Sequence, residues 1–210
     1  MPTITQIKET KKGRLALFLD GEFAFSLDED TFAAAALHEE DEVEEWRLEE
    51  LRKQSDTRKA LDKAMDLLSL RDHAAGELYQ KLCRKFDGPS AAYAVAKAQE
   101  LGLLDDAQFA RRRAAELLRK RKSRRAILDD LTAKGIDRDT AAGAVEALYA
   151  DAEQDPELTA AIQLVQRHYA AKLSAGRRDQ VAAALARRGF SHAVIRQALE
   201  TDQTYRNTFQ

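Results

Sequence analysis

Leu101-Gly102-Leu103-Leu104-Asp105-Asp106-Ala107-Gln108-Phe109-Ala110 decides how this 210-residue chain folds. The stretch reads as a junction between two helices. Gly102 supplies a left-handed stop, Asp105 caps the next helix with Gln108 three residues on, and Leu104 and Phe109 take the two positions of a hydrophobic staple around that cap. The helix that begins here runs into Arg111-Arg112-Arg113 and then Arg119-Lys120-Arg121-Lys122-Ser123-Arg124-Arg125. Residues 111–125 hold nine Lys or Arg against one acid, Glu116. A defined helix start feeding a strongly cationic helix points to an anionic partner rather than to chemistry.

Outward from this junction the pattern repeats. Leu78 and Leu82, Ile127 and Leu131, Val181 and Leu185 are i, i+4 apolar pairs, and each is followed three residues later by a cation: Lys85, Lys134 and Arg188. The next residue is Phe86, Gly135 or Gly189. In the later two copies the junction continues as Gly135-Ile136-Asp137 and Gly189-Phe190-Ser191, a helix stop followed by a cap. The first copy has Phe86-Asp87-Gly88-Pro89-Ser90, two residues longer before its cap at Ser90. A recurrence of about fifty residues with weak identity is the mark of tandem helical modules. The spacing predicts helices over 57–71, 74–86 and 90–101; over 106–120, 123–134 and 137–149; and over 157–174, 177–188 and 191–200, with Pro156 in the first turn after Asp155. The three-helix modules then occupy 57–104, 105–150 and 155–202.

Residues 1–56 differ. Residues 3–9 and 14–19 are strand-prone, with Lys12-Gly13 between them. Leu15, Leu17 and Leu19 alternate with Ala16 and Phe18 before Asp20-Gly21 and Phe23-Ala24-Phe25, a hairpin signal. A β-meander of this size needs a helix to lean on. Asp28 caps a short helix over Thr31–Leu37, and an acidic helix carrying Val43, Trp46 and Leu51 follows.

The net charge of −2 conceals a polarity along the chain. Residues 20–56 hold fourteen Asp or Glu against three Lys or Arg, and residues 107–134 hold ten Lys or Arg against three acids. The field near each patch, rather than the total, steers association. A single cysteine, Cys83, permits no internal disulfide and suits a reducing compartment; it reads as a small buried thiol on a helix. No apolar run approaches the ~18 to 20 residues of a membrane span, and the N-terminus lacks a signal pattern. The expectation is a cytoplasmic protein.

Nothing in the sequence composes a catalytic or metal site. His38, His73, His168 and His192 are scattered, and neither a Walker-type loop nor a Gly-x-Ser-x-Gly elbow occurs. A cap accounts for the acids Asp105-Asp106 and a solvated helix face for Asp129-Asp130. The chain is therefore expected to bind rather than catalyse, without cofactor. The candidate contacts to an anionic partner are Arg71, Lys85, Arg111, Arg112, Arg113, Arg119, Arg121, Lys122, Arg124, Arg125, Lys134, Arg177, Arg178 and Arg188. The run lacks the interleaved acids of a salt-bridged helix, and Arg177-Arg178 recur near the module position of Arg124-Arg125.

Several of these segments resemble the RecX family, bacterial regulators of the RecA recombinase. The resemblance runs from about Ala60 to Leu199 and is most specific over Glu100–Ala110. Leu67-Leu68-Ser69-Leu70-Arg71, Glu77-Leu78 with Leu82, and Ile127-Leu128-Asp129-Asp130-Leu131 with Lys134-Gly135-Ile136 support it. Phe86 replaces the family's usual glycine after Lys85, and Ala74-Ala75 stand where a small hydroxyl residue is common. The resemblance implies a mainly α fold of three tandem three-helix repeats in an elongated curved body, with a β-rich N-terminal extension. It also implies a monomer that docks along the RecA–single-stranded DNA filament, inhibits ATP hydrolysis, strand exchange and filament growth, and so acts in recombination and the SOS response. The basic run adds weak, non-specific binding to single-stranded DNA. The alternative is a tandem helix-turn-helix-like DNA-binding protein that acts without a recombinase.

Overall fold

Alternating apolar residues build the start of the chain into an antiparallel sheet, β1 (Ile4–Glu9), β2 (Leu15–Leu19) and β3 (Glu22–Leu27), in the order β1-β2-β3. Asp20 and Gly21 turn between the last two strands with φ of 48° and 88°, positive values that an Asp-Gly pair adopts readily. The period of two puts Leu17 and Phe25, paired across the strands, on the covered face with Ile4 and Leu27. Helix α1 (Glu29–Ala35) follows, capped by Asp28, whose carboxylate accepts the Thr31 N–H at 3.0 Å. This computed structural model describes residues 1–150, 152 and 154–208, with side chains up to residue 201.

The acidic helix and the first helix expected at 57–71 are one 26-residue helix, α2 (Glu45–Leu70). No Gly or Pro interrupts it, and one buried face runs its length through Leu48, Leu51, Ser55, Ala60 and Ala64. Its first half closes the sheet: Leu48 and Leu51 join the core with Leu37 and Val43. Fully buried Ser55 donates to the Ser26 carbonyl and accepts from Arg14 at 3.2 Å, and Arg14 also reaches the Ser26 carbonyl at 2.9 Å. Its second half packs on α4 (Gly88–Glu100), with the Thr57 and Ser90 hydroxyls 3.2 Å apart. Val43 precedes the helix rather than lying on it, and Trp46 lies on its exposed face.

Between them lies α3 (Ala75–Leu82), after which Cys83 is exposed, not buried as the sequence suggested. Asp87 rather than Ser90 caps α4, accepting the Ser90 N–H at 2.7 Å. Ser90 sits in the first turn, buried. The first junction is thus one residue shorter than the later two, not two longer.

The chain divides into two compact units, Met1–His73 with Glu77–Leu104, and Ala74–Gly76 with the chain from Asp105 onward. The second unit contains α5 (Asp106–Arg119), α6 (Arg124–Ala133), α7 (Arg138–Ala150), α8 (Pro156–Leu164), α9 (Ala170–Ser174), α10 (Arg178–Arg187) and α11 (His192–Thr208). Asp105, Ser123, Asp137, Asp155 and Ser191 cap helices as side-chain acceptors. The pairs Ile127/Leu131 and Val181/Leu185 are fully buried, each at the centre of its own core. The helix expected at 157–174 is interrupted by a π turn, Val165–Tyr169, that joins α8 to α9. The fold is mainly α with a small N-terminal β-meander. Among the described residues no helix is long and apolar enough to cross a membrane.

Phe109 lies in the α5–α7 core with Leu117, Ile127 and Val145, whereas Asp105 is exposed and contributes one cap bond. Phe109→Ala should cost about 3–5 kcal/mol and Asp105→Ala about 0.5–2 kcal/mol. Urea unfolding of the two variants should show this order; a Phe109→Ala protein as stable as the parent would contradict the core placement.

Candidate anion-binding surface

The Asp105 cap sets the phase of α5 and so decides where its cations point. Arg113 turns towards α6. Its Nε and one Nη donate to the two carboxylate oxygens of Asp130, both at 2.9 Å, and the other Nη donates to Glu116 at 2.9 Å. The bidentate bond to Asp130 drives the Arg113 pKa further above its ordinary value. This is a planar fork matched to a carboxylate, the strong form of the ion pair. Glu116 also accepts from Lys120, and that bond, with the one from Arg113, lowers its pKa. Arg112 donates to Gln108 at 2.8 Å and Arg121 to Gln163 at 2.9 Å. Acids and amides for the run are thus supplied from the same helix within one turn or from a later helix. Arg111, Arg119 and Lys122 are exposed and form no ion pair among the described residues.

The start of α6 is a joint between helix ends. Ser123, fully buried, accepts the Ala126 N–H at 3.2 Å and donates to the Arg188 carbonyl at 2.8 Å. Gly189 follows with φ +87°; a Cβ there would lie 2.8 Å from Ser123 Oγ and 3.5 Å from Arg125 Cβ. Glu157 of α8 accepts the Arg124 N–H at 3.1 Å, meeting one of the donors that a helix leaves free in its first turn. The second unit repeats this joint at Ala74–Gly76. Asp106 accepts the Ala75 N–H at 2.8 Å, and a Cβ on Gly76 would lie 2.6 Å from Gly135 Cα. Gly135 and Gly189, read from sequence only as helix stops, are also the points at which helix ends touch.

The Ser123–Gly189 joint brings Arg125 beside the Arg188–Gly189 backbone. Arg124 lies 3.7 Å from Glu146 and its guanidinium 5.5 Å over the Tyr149 ring. Arg125 pairs loosely with Asp129 at 3.8 Å, and Arg188 is exposed with no ion pair among the described residues. Lys134 is half-buried beside Gly76. Arg177 and Arg178 are exposed at the start of α10, and Arg178 lines a shallow groove with His192 and Arg196. Arg71 and Lys85 belong to the first unit. Arg71 forks onto Glu77 at 2.9 and 3.1 Å, while Lys85 is exposed. Buried His73 also faces Glu77, at 3.1 Å; burial, with Arg71 and Lys81, lowers its pKa.

Four residues of this surface escape the sequence reading. Arg187 is exposed and without an ion pair among the described residues; its doublet with Arg188 was the available signal. Ser123, Glu157 and Gly76 act through contacts far along the chain, and no local pattern marks them. Among the described residues no group of His, Cys, Asp or Glu is arranged to hold a metal.

Comparison with known proteins places this surface in context. The family model for the second three-helix domain of RecX matches residues 105–145, from the α5 cap into α7. That for the regulatory protein RecX N-terminal domain matches residues 2–44, the meander and α1. A regulatory protein RecX of Bacillus velezensis is 30% identical over 206 residues, covering 95% of this chain and 77% of the relative. That of Bacillus subtilis is 29% identical over 208 residues, with the same coverage of each. A crystal structure of regulatory protein RecX superposes with a TM-score of 0.66 at 21% identity, covering 95% of this chain and all of that one. At that identity the superposition shows the fold.

Burial raises the carboxyl pKa of Glu157, and the nearby Asp155 charge adds to this against the bond from Arg124 N–H. An acid whose folded pKa exceeds its unfolded value contributes stability present below the unfolded pKa and lost as pH rises through the folded one. Glu157→Gln keeps an acceptor for Arg124 N–H and removes the charge. It should therefore raise the melting temperature at pH 7 and leave it nearly unchanged at pH 4. Lower stability at pH 7 would show that the ionised carboxylate is needed at the joint.

Proposed function

The chain belongs to the RecX family of regulatory proteins, and from that premise we propose that it binds the filament of a RecA-type recombinase on single-stranded DNA and restrains its activity. It acts as a cytoplasmic monomer, lowering ATP hydrolysis, strand exchange and filament growth. The observation that carries this reading is the set of exposed arginines and lysines of the second unit without ion pairs among the described residues: Arg111, Arg119, Lys122, Arg177, Arg187 and Arg188. Like charges gathered without counter-charge repel and cost stability, so an anionic partner accounts for their retention. A recombinase filament, periodic and loaded with nucleotide and DNA, supplies such charge at repeated intervals to tandem modules.

Direct contact with single-stranded DNA is part of this reading, and it is weak and without sequence preference. Each neutralised phosphate contributes about −0.7 to the slope of log affinity against log salt. Three to five contacts would give roughly −2 to −3.5, so bare-strand binding fades in the physiological range while protein contacts sustain filament binding.

Substoichiometric protein should lower DNA-dependent ATP hydrolysis by a RecA-type recombinase severalfold and slow strand exchange. No change at stoichiometric protein and low salt would refute the reading. Tight, salt-insensitive binding to one duplex sequence would instead favour a tandem helix-turn-helix-like DNA-binding protein that needs no recombinase.

A further inference from the structure

We propose that Arg125 and Arg188 form one site for the phosphates of a single nucleic-acid strand, and that Ser123 and Gly189 are the positioning residues that hold its two halves together. The proposal rests on the reading above that the second unit meets an anionic partner, and it names the partner's chemistry at one place.

Arg125 stands in the first turn of α6 and Arg188 just past the end of α10, sixty-three residues apart in the chain. The joint makes them neighbours. Ser123 Oγ holds the Arg188 carbonyl at 2.8 Å, and the place of a Cβ on residue 189 is 3.5 Å from Arg125 Cβ. Arg125 is 78% exposed, and its Asp129 partner, at 3.8 Å, is 72% exposed, a pairing that solvent screens to little effect. Arg188 and the adjacent Arg187 have no ion pair among the described residues.

The surroundings favour phosphate over a protein surface. Protein partners are held by apolar or aromatic anchors at the centre of the contact. Among the described residues every exposed large apolar side chain lies at or before Leu103, outside this unit. What the joint exposes are arginines, whose guanidinium groups can grip a phosphate through paired N–H donors. The other joint separates structure from binding. It has the same glycine approach, with Gly76 where this one has Arg125. The joint therefore forms without arginines, and the arginines at Ser123–Gly189 are an addition to it.

Gly189→Ala tests the positioning without removing a charge. Its Cβ would meet Ser123 Oγ at 2.8 Å, whereas Gly176, at φ +71°, has open space around the same atom. Gly176→Ala thus carries the backbone strain of a positive φ without the collision. Binding of an oligo-dT strand is measured by fluorescence anisotropy across a salt series. Gly189→Ala should flatten the slope by about 0.7 to 1.4, the loss of one or two phosphates, and Gly176→Ala should keep the parental slope. Arg125→Gln with Arg188→Gln should flatten it equally, and adding Gly189→Ala to that pair should change nothing more. Ser123→Ala, which unties the Arg188 carbonyl without adding an atom, should act like Gly189→Ala and covers the case in which that variant fails to fold. Variants at 123 and 189 that melt earlier yet retain the parental slope would overturn the proposal. So would binding of poly-glutamate through the same two arginines as tightly as the oligonucleotide. No recombinase is present in the measurement, so a failure here leaves inhibition of the filament standing, and a failure of inhibition leaves this result standing.

Discussion

A buried hydroxyl that bridges two helix ends holds the second unit in register. Ser123 closes the first turn of α6 and reaches the last carbonyl of the α10 turn with the same oxygen. A Cβ on residue 189 would crowd it at 2.8 Å. Helix ends are where backbone donors and acceptors lack partners, and tandem modules must bury some of those ends against one another. Here the surplus donor of one helix start meets an acid of a later helix, Glu157 or Asp106, and the glycine lets the backbones close. That contact fixes where the start of α6 meets the end of α10.

Charge looks different in space than along the chain. Over residues 111–125 one acid faces nine cations, which reads as a bare cationic helix. The fold supplies Asp130 to Arg113, Asp129 to Arg125 and Glu146 to Arg124. Arg113, with three bonds to two carboxylates, ties α5 to α6 and belongs to the architecture. The cations left over lie mostly at helix ends, where no following turn brings an acid within reach.

What was legible in the sequence was local. Asp28, Asp105, Asp137, Asp155 and Ser191 cap helices because a short acceptor three residues ahead of an N–H is a property of one turn. The Asp20-Gly21 hairpin and the pairs Ile127/Leu131 and Val181/Leu185 follow from periods of two and four. Continuity of α2 was not legible, because the repeat spacing predicts a helix start at 57 where no Gly or Pro breaks the chain. Repeat spacing points to Ser90 as the cap, yet Asp87 is the stronger acceptor and stands three residues earlier, with Pro89 in the first turn. At the candidate site, residue type identifies the arginines, but which of them are spent on neighbours depends on contacts from residues up to forty-two positions away.

The unbroken α2 has a consequence for how the chain comes off the ribosome. The meander core is complete once Leu48, Leu51 and Ser55 have emerged, since among the described residues none later in the sequence enters it. The other half of the same helix must wait for α4, more than thirty residues further on, before Ala60 and Ala64 are covered. During synthesis the folded meander would therefore nucleate α2 from its N-terminal end, and a short helix that is marginal alone would grow from an existing turn. The strands at the head of the chain would thus be the seed from which α2 grows.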